Sequence, residues 1–166
     1  MYQKSIALIF VLSVTAGMFL TTAPPEGVAL AQGLKTRLPD LVVGIEAAEN
    51  QDRSMPISNG ANLAYSGGGP ANWFWFTIRN QGITAANNFT YKMIVEDNGI
   101  KIYDPPVGKL TLAGNGGSQE FGPVRLNLFN RNTIKVVIVA NYGGVVKELT
   151  MSNNVATLEY TAEVVQ

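Results

Sequence analysis

Neither histidine nor cysteine occurs anywhere in the 166-residue chain. The Ser-His-Asp and Cys-His nucleophilic systems are therefore unavailable in their usual form. Zinc, copper and haem sites lose their commonest ligands. No disulfide can staple the fold, so a hydrophobic core has to hold it alone. An excess of charge is missing too, because 12 basic and 12 acidic residues cancel. A neutral chain without a basic cluster exerts little general pull on nucleic acid or on anionic lipid. Helix signals are scarce beyond residue 32, where Val, Ile, Thr, Tyr and Phe fill the apolar positions and Gly, Asn and Pro punctuate them. That is the pattern of short strands joined by turns.

The first residues stand apart. Lys4 precedes an apolar run over 6–20, Pro24-Pro25 breaks it, and Ala29-Leu30-Ala31 offers small residues in an A-x-A arrangement. A positive end, an apolar middle and such a site read as a signal peptide over 1–31, cut after Ala31. The alternative is an uncleaved anchor, although the run is short for a bilayer. No Cys follows it as a lipoprotein leader requires, and no pilin-type processing site is present. Residues 32–38 then read as a linker and 39–166 as a single domain; the mature part from Gln32 onward keeps a net charge of zero once Lys4 and Glu26 are removed. The expected location is the cell surface, the periplasm or the medium, with no membrane contact after cleavage.

Within the domain, strands are expected over 39–46, 73–80, 89–96, 100–103, 109–113, 119–128, 133–141 and 155–161. Asp97-Asn98-Gly99 between two of them is a hairpin signal, because Asn98 and Gly99 accept positive φ at both central positions. Pro123 argues that its strand is an edge or carries a bulge. The 133–141 segment is apolar on both faces, as in a central strand. Leu158 and Tyr160 point inward on the last strand. Residues 49–70, rich in Asn, Ser and Gly, read as one long irregular loop. The expected fold is all-β: an immunoglobulin-like antiparallel β-sandwich of about seven to eight short strands, behind a signal helix. A small barrel is the alternative.

The most informative run is Asn72-Trp73-Phe74-Trp75-Phe76-Thr77-Ile78-Arg79-Asn80-Gln81-Gly82. Strand alternation puts Phe74, Phe76 and Ile78 on one face and Trp73, Trp75 and Thr77 on the other. The first set is expected in the core, because the opposite choice would also bury Arg79. Trp73 and Trp75 then form an outer aromatic face. Either the 49–70 segment, which holds Leu63 and Tyr65, folds over them, or they are a contact surface.

Three pieces together resemble a known family. They are Pro39-Asp40-Leu41-Val42-Val43, then Thr77-Ile78-Arg79-Asn80-Gln81-Gly82 with Ala85-Ala86, then Val146-Lys147-Glu148 with Ser152-Asn153-Asn154. In order and spacing they resemble CARDB, the cell-adhesion-related domain found in bacteria. The resemblance implies an extracellular, immunoglobulin-like, seven-stranded sandwich, usually a repeated or accessory module of surface proteins. It departs at Asn141, where the family often has Asp, and at Met151, where it often has a second Glu. If those acids bind a cation or cap the hairpin in relatives, the resemblance does not carry that role over to Asn141 and Met151. No functional residue carries over. Asn80, Gly82, Glu148, Asn153 and Asn154 read as structural, since Asn side chains satisfy backbone groups exposed in turns.

No catalytic, cofactor or metal residue stands out. Glu96, Asp97 and Asp104 surround one hairpin and have the oxygen ligands calcium uses, but they match no EF-hand loop and read as solvated turn residues. Asn88-Phe89-Thr90 is a glycosylation sequon. The functional expectation is a non-enzymatic, exported, adhesion-type domain that contacts a protein partner or a second copy of itself. The alternative is a carbohydrate-binding module using Trp73 and Trp75, with Tyr65 as a third ring.

Overall fold

The computed structural model describes residues 37–66, 71–127 and 133–165. The signal peptide with its Ala31 cut, and the Gly67-Gly68-Gly69-Pro70 end of the expected loop, lie outside the described residues. Nine strands are present among those described: β1 Leu41–Ala48, β2 Asn62–Ser66, β3 Ala71–Asn80, β4 Ala86–Asp97, β5 Ile100–Tyr103, β6 Gly108–Leu112, β7 Ser118–Asn127, β8 Thr133–Ala140 and β9 Val155–Val165. One sheet has the order β1-β3-β7. The other has the order β2-β9-β8-β4-β5, with β6 also paired to β4. The expected β-sandwich is thus present, with one more strand than anticipated.

The extra strand is β2. It lies in the segment read as a loop, because its apolar alternation is only Leu63 and Tyr65 among polar neighbours. What makes it a strand is the partner: it runs parallel to β9, with Asn62 opposite Thr161 and Ser66 opposite Val165. The sandwich is therefore not wholly antiparallel. Among the described residues of 49–70, loop geometry is confined to 49–61, and even there Pro56 bridges back to Ala48.

Side-chain alternation assigns the layers. Phe74, Phe76 and Ile78 of β3 are buried, as are Leu41, Val43 and Ala47 of β1. They meet Phe89, Met93 and Val95 of β4, Ile134, Val136 and Ile138 of β8, and Leu158, Tyr160 and Ala162 of β9 in one core cluster. Each Val, Leu, Ile, Phe or Met side chain of this set contributes on the order of 1.5–3 kcal/mol on burial, which replaces the missing disulfides. Strand β8 lies between β4 and β9. It is central, yet Lys135, Val137 and Val139 on its second face are only half-buried.

The turns follow their residues. Asn98 and Gly99 have φ of 49° and 79°, the signature of a type I′ hairpin turn. Pro123 lies on the edge strand β7, where the register against β3 shifts between Phe74 and Phe76. Gly122 occupies that bulge with φ of 121°. A β-carbon there would stand 2.7 Å from the Phe74 carbonyl oxygen and 2.9 Å from Trp75 Cδ1. Asp97 departs from expectation: it is buried at the end of β4 rather than solvated.

Two outcomes follow from this packing. Gly82 is wedged so that a β-carbon would collide with the backbone of Leu38, Pro39 and Asp40, whereas one on Gly44 would meet nothing within 4 Å. Gly82→Ala should destabilise by about 1–3 kcal/mol, and Gly44→Ala should be neutral or stabilising by about 0.4–1 kcal/mol, both read from urea midpoints. Separately, burial drives the Tyr160 hydroxyl well above its ordinary value of 10.0, and the charge of Tyr65 pushes the same way. Above that ordinary value the unfolded phenol ionises while the folded one keeps its proton. Stability is therefore full below about pH 10 and is lost progressively as pH rises past it toward the folded value. Tyr160→Phe should flatten this alkaline decline in urea melts recorded between about pH 8 and pH 11.

Candidate functional site

One end of the sandwich is organised by a sealed carboxylate. Glu148 lies in the loop between β8 and β9 and is buried. Its Oε2 accepts the backbone N–H of Leu41 at 2.8 Å. Its Oε1 accepts the side-chain amides of Asn141 and Asn154, each at 2.7 Å. A buried carboxylate without such donors would be costly, and charge-assisted bonds are stronger than neutral ones. Around it the loop is tied down further. Asn141, at φ of 50°, donates to the Val146 carbonyl at 2.6 Å and accepts the Val146 N–H at 3.0 Å. Asn153 donates to the Asp40 carboxylate at 2.9 Å. Backbone bonds run from Leu149 N–H to the Pro39 carbonyl and from Val43 N–H to the Asn153 carbonyl. Loop 141–154 therefore covers the edge of β1 that does not pair with β3.

Asn80 does the corresponding work at the end of β3. It is wholly buried. Its Oδ1 accepts the N–H groups of Asp40 and Gly82 at 3.0 and 3.1 Å. Its Nδ2 donates to the carbonyls of Thr84 and Ala113 at 2.8 and 3.1 Å. One amide thus meets four backbone groups left over where strands end.

This anchored loop points apolar side chains outward. Tyr142, Val145, Leu149, Met151 and the adjacent Val155 are all exposed, Val145 at 62% and Met151 at 56%. Sequence reasoning passed over them because Asn153 and Asn154 read as turn residues and the rest of the segment showed no strand pattern. The available signal was the apolar residues scattered where a solvated turn would carry polar ones. Tyr142 also has the Lys92 ammonium 5.6 Å from its ring centre, and its N–H is bonded to the Thr90 carbonyl.

The tryptophan face is divided by what covers it. Trp75 is 5% exposed. The Arg53 guanidinium lies 4.4 Å above its ring and is paired with Glu46 at 3.2 Å and Glu120 at 2.5 Å. Glu46 is on β1 and Glu120 on β7, so Arg53 bridges all three strands of that sheet. Trp73 is half-buried, with Arg125 5.6 Å from its ring. Tyr65 is not on this face. It packs against the core from β2, and its hydroxyl accepts Asn72 Nδ2 at 3.1 Å, with Asn72 on the same side of β3 as Phe74. The structure keeps the two tryptophans on one face of β3 and leaves Tyr65 between the sheets, because strand alternation places residues 72 and 73 on opposite faces.

The hairpin acids are not gathered on one point either. Asp104 is paired with Lys92 at 2.8 Å and Lys101 at 3.5 Å, and the Lys92 hydrogen bond holds its carboxyl below the usual range. Among the described residues no group of three or more His, Cys, Asp or Glu side chains converges. At the Glu148 junction the carboxylate oxygens already accept three N–H donors, an arrangement of hydrogen bonds rather than of metal ligands.

Removing the carboxylate should therefore open this end of the domain. Glu148→Ala leaves three N–H donors without their acceptor and should cost about 3 kcal/mol or more. Glu148→Gln should fall between it and the parent, since its carbonyl oxygen can keep the Asn141 and Asn154 donors while its NH2 faces the Leu41 N–H. Urea denaturation gives the order, and amide exchange should accelerate first in loop 141–154 and at Leu41.

No family model matches the sequence, and no curated protein matches it. Solved structures do. The crystal structure of the CARDB domain of a Pyrococcus furiosus protein, in complex with di-metal ions, is 15% identical, with 78% of this chain and 97% of that one covered at a TM-score of 0.54. The solution structure of the same domain is 16% identical, covering 76% and 97% at 0.51. One domain of a candidate cell surface protein from Methanosarcina acetivorans is 19% identical, covering 75% and 92% at 0.45. The resemblance carried by the three sequence motifs thus extends to the backbone, and the chain has the CARDB β-sandwich fold.

Proposed function

We propose that the domain is a non-enzymatic, exported contact module that binds protein through the loop joining β8 to β9. The observation that carries this is the pairing of a rigid frame with an apolar surface. Glu148, Asn141 and Asn153 fix loop 141–154 from beneath. Tyr142, Val145, Leu149 and Met151 stand exposed above it. Exposed apolar patches mark interaction sites, and a loop already ordered loses less entropy on binding. Export is supported by the leader-like first 31 residues, and a non-catalytic role by the lack of His and Cys.

Within that reading we favour a second copy as the partner. Zero net charge puts no general repulsion between copies. The glycan alternative rests on Trp73, since Trp75 lies under Arg53 and Tyr65 faces inward. Sedimentation of residues 32–166 over a wide concentration range tests self-association. The expected result is concentration-dependent assembly, weakened about tenfold or more by Val145→Ser with Met151→Ser, at an unchanged melting temperature. A strict monomer at every concentration would remove self-assembly, and association untouched by the substitutions would remove the loop as its surface.

A further inference from the structure

We propose that Asn88 accepts an N-linked oligosaccharide and that the transfer precedes folding of the domain. Asn88-Phe89-Thr90 is the sole Asn-x-Ser/Thr triplet in the sequence. It falls on β4 where the register against β6 shifts between Ala86 and Phe89. Asn88 has φ of 51° there, a conformation that Asn tolerates better than most residues. Its backbone N–H is bonded to the Thr111 hydroxyl at 3.0 Å. Its side chain is exposed and has no hydrogen-bond partner among the described residues. A sugar attached to Nδ2 would displace nothing in the folded domain.

The other two residues of the triplet are locked. Phe89 is 0% exposed in the core. The Thr90 hydroxyl accepts the Gly143 N–H at 3.1 Å, and the Thr90 carbonyl accepts the Tyr142 N–H at 3.0 Å. A transferase has to engage the hydroxyl two residues after the acceptor, which requires lifting this segment out of the sheet. A core strand opens only at a free energy near that of global unfolding. The accessible moment is therefore before β4 pairs with β8.

The donor class is an oligosaccharide carried on a polyprenyl diphosphate. The anomeric carbon–oxygen bond to the diphosphate breaks, and a bond from that carbon to Asn88 Nδ2 forms. Nδ2 releases one proton, and the lipid diphosphate departs with the bonding electron pair. Nothing is oxidised or reduced. The proposal rests on the export reading, because the chain has to meet a membrane-bound donor while unfolded.

The test is translation of the full chain in the presence of microsomal membranes that hold an oligosaccharyltransferase and its lipid-linked donor. It is run with the chain's own leader and with a proven secretory leader in place of residues 1–31, and intact mass is read. One oligosaccharide per chain is expected, absent from both Asn88→Gln and Thr90→Ala. Folded chain exposed to the same solubilised enzyme and donor should react more slowly by at least about tenfold, since the strand must open first. A glycan seen only with the proven leader refutes the export reading and leaves the acceptor site standing. No glycan with the proven leader, or a glycan that survives Asn88→Gln, overturns the site. Equal rates for folded and nascent chain overturn the order of events.

Discussion

Glu148 has to be satisfied where it lies, and the closed end of the sandwich is arranged around that demand. A carboxylate sealed from water costs several kcal/mol unless donors surround it. Here they come from three separate places: the first residue of β1, the start of the β8–β9 loop and its end. Meeting that requirement pulls the loop across the open edge of β1, so one group completes the ladder and fixes the loop together. Asn80 repeats the logic at the end of β3 with an uncharged amide. In a chain without disulfides these two side chains tie together segments that the core alone would leave free.

The same constraint bears on function. A loop without internal regular structure is ordinarily the least stable part of a domain. This one is anchored from below and apolar above, the two properties on which the proposed protein-binding role rests. The outer face of the β1-β3-β7 sheet has a different character. There Arg53 spans Glu46 and Glu120 and lies over Trp75, so an aromatic ring that looked available is held in an ionic frame. Edge strands are also managed. β7 carries Pro123 and a bulge, and β2, β5 and β6 are short, features that discourage indiscriminate strand pairing.

Much of this was legible in the sequence. The inward set Phe74, Phe76 and Ile78 followed from alternation alone. The Asn98-Gly99 turn and the edge position of Pro123 followed from backbone restrictions that belong to the residues themselves. Strand β2 was not legible, because Asn62-Leu63-Ala64-Tyr65-Ser66 has little β character and depends on β9 for its pairing. Asp97 was read as solvated from its place before a turn, yet it is buried. Cover over Trp75 by the 49–70 segment was one of two readings the sequence left open, and the residue that lies on the ring is Arg53 rather than the apolar Leu63 or Tyr65. Nothing local identifies a guanidinium that will meet carboxylates from two other strands.

By itself the sequence determined the all-β class, the alternation that divides core from surface, the hairpin turn and the exclusion of His- and Cys-based chemistry. Those properties depend on single residues or on neighbours along one strand. Only the tertiary structure decided that Glu148 would be buried with its carboxylate on the N–H of Leu41, 107 residues away, that Tyr65 would lie between the sheets, and that the exposed apolar residues would collect on the β8–β9 loop. Those outcomes depend on which strands become neighbours, and that is set by core packing and long-range pairing rather than by any local pattern.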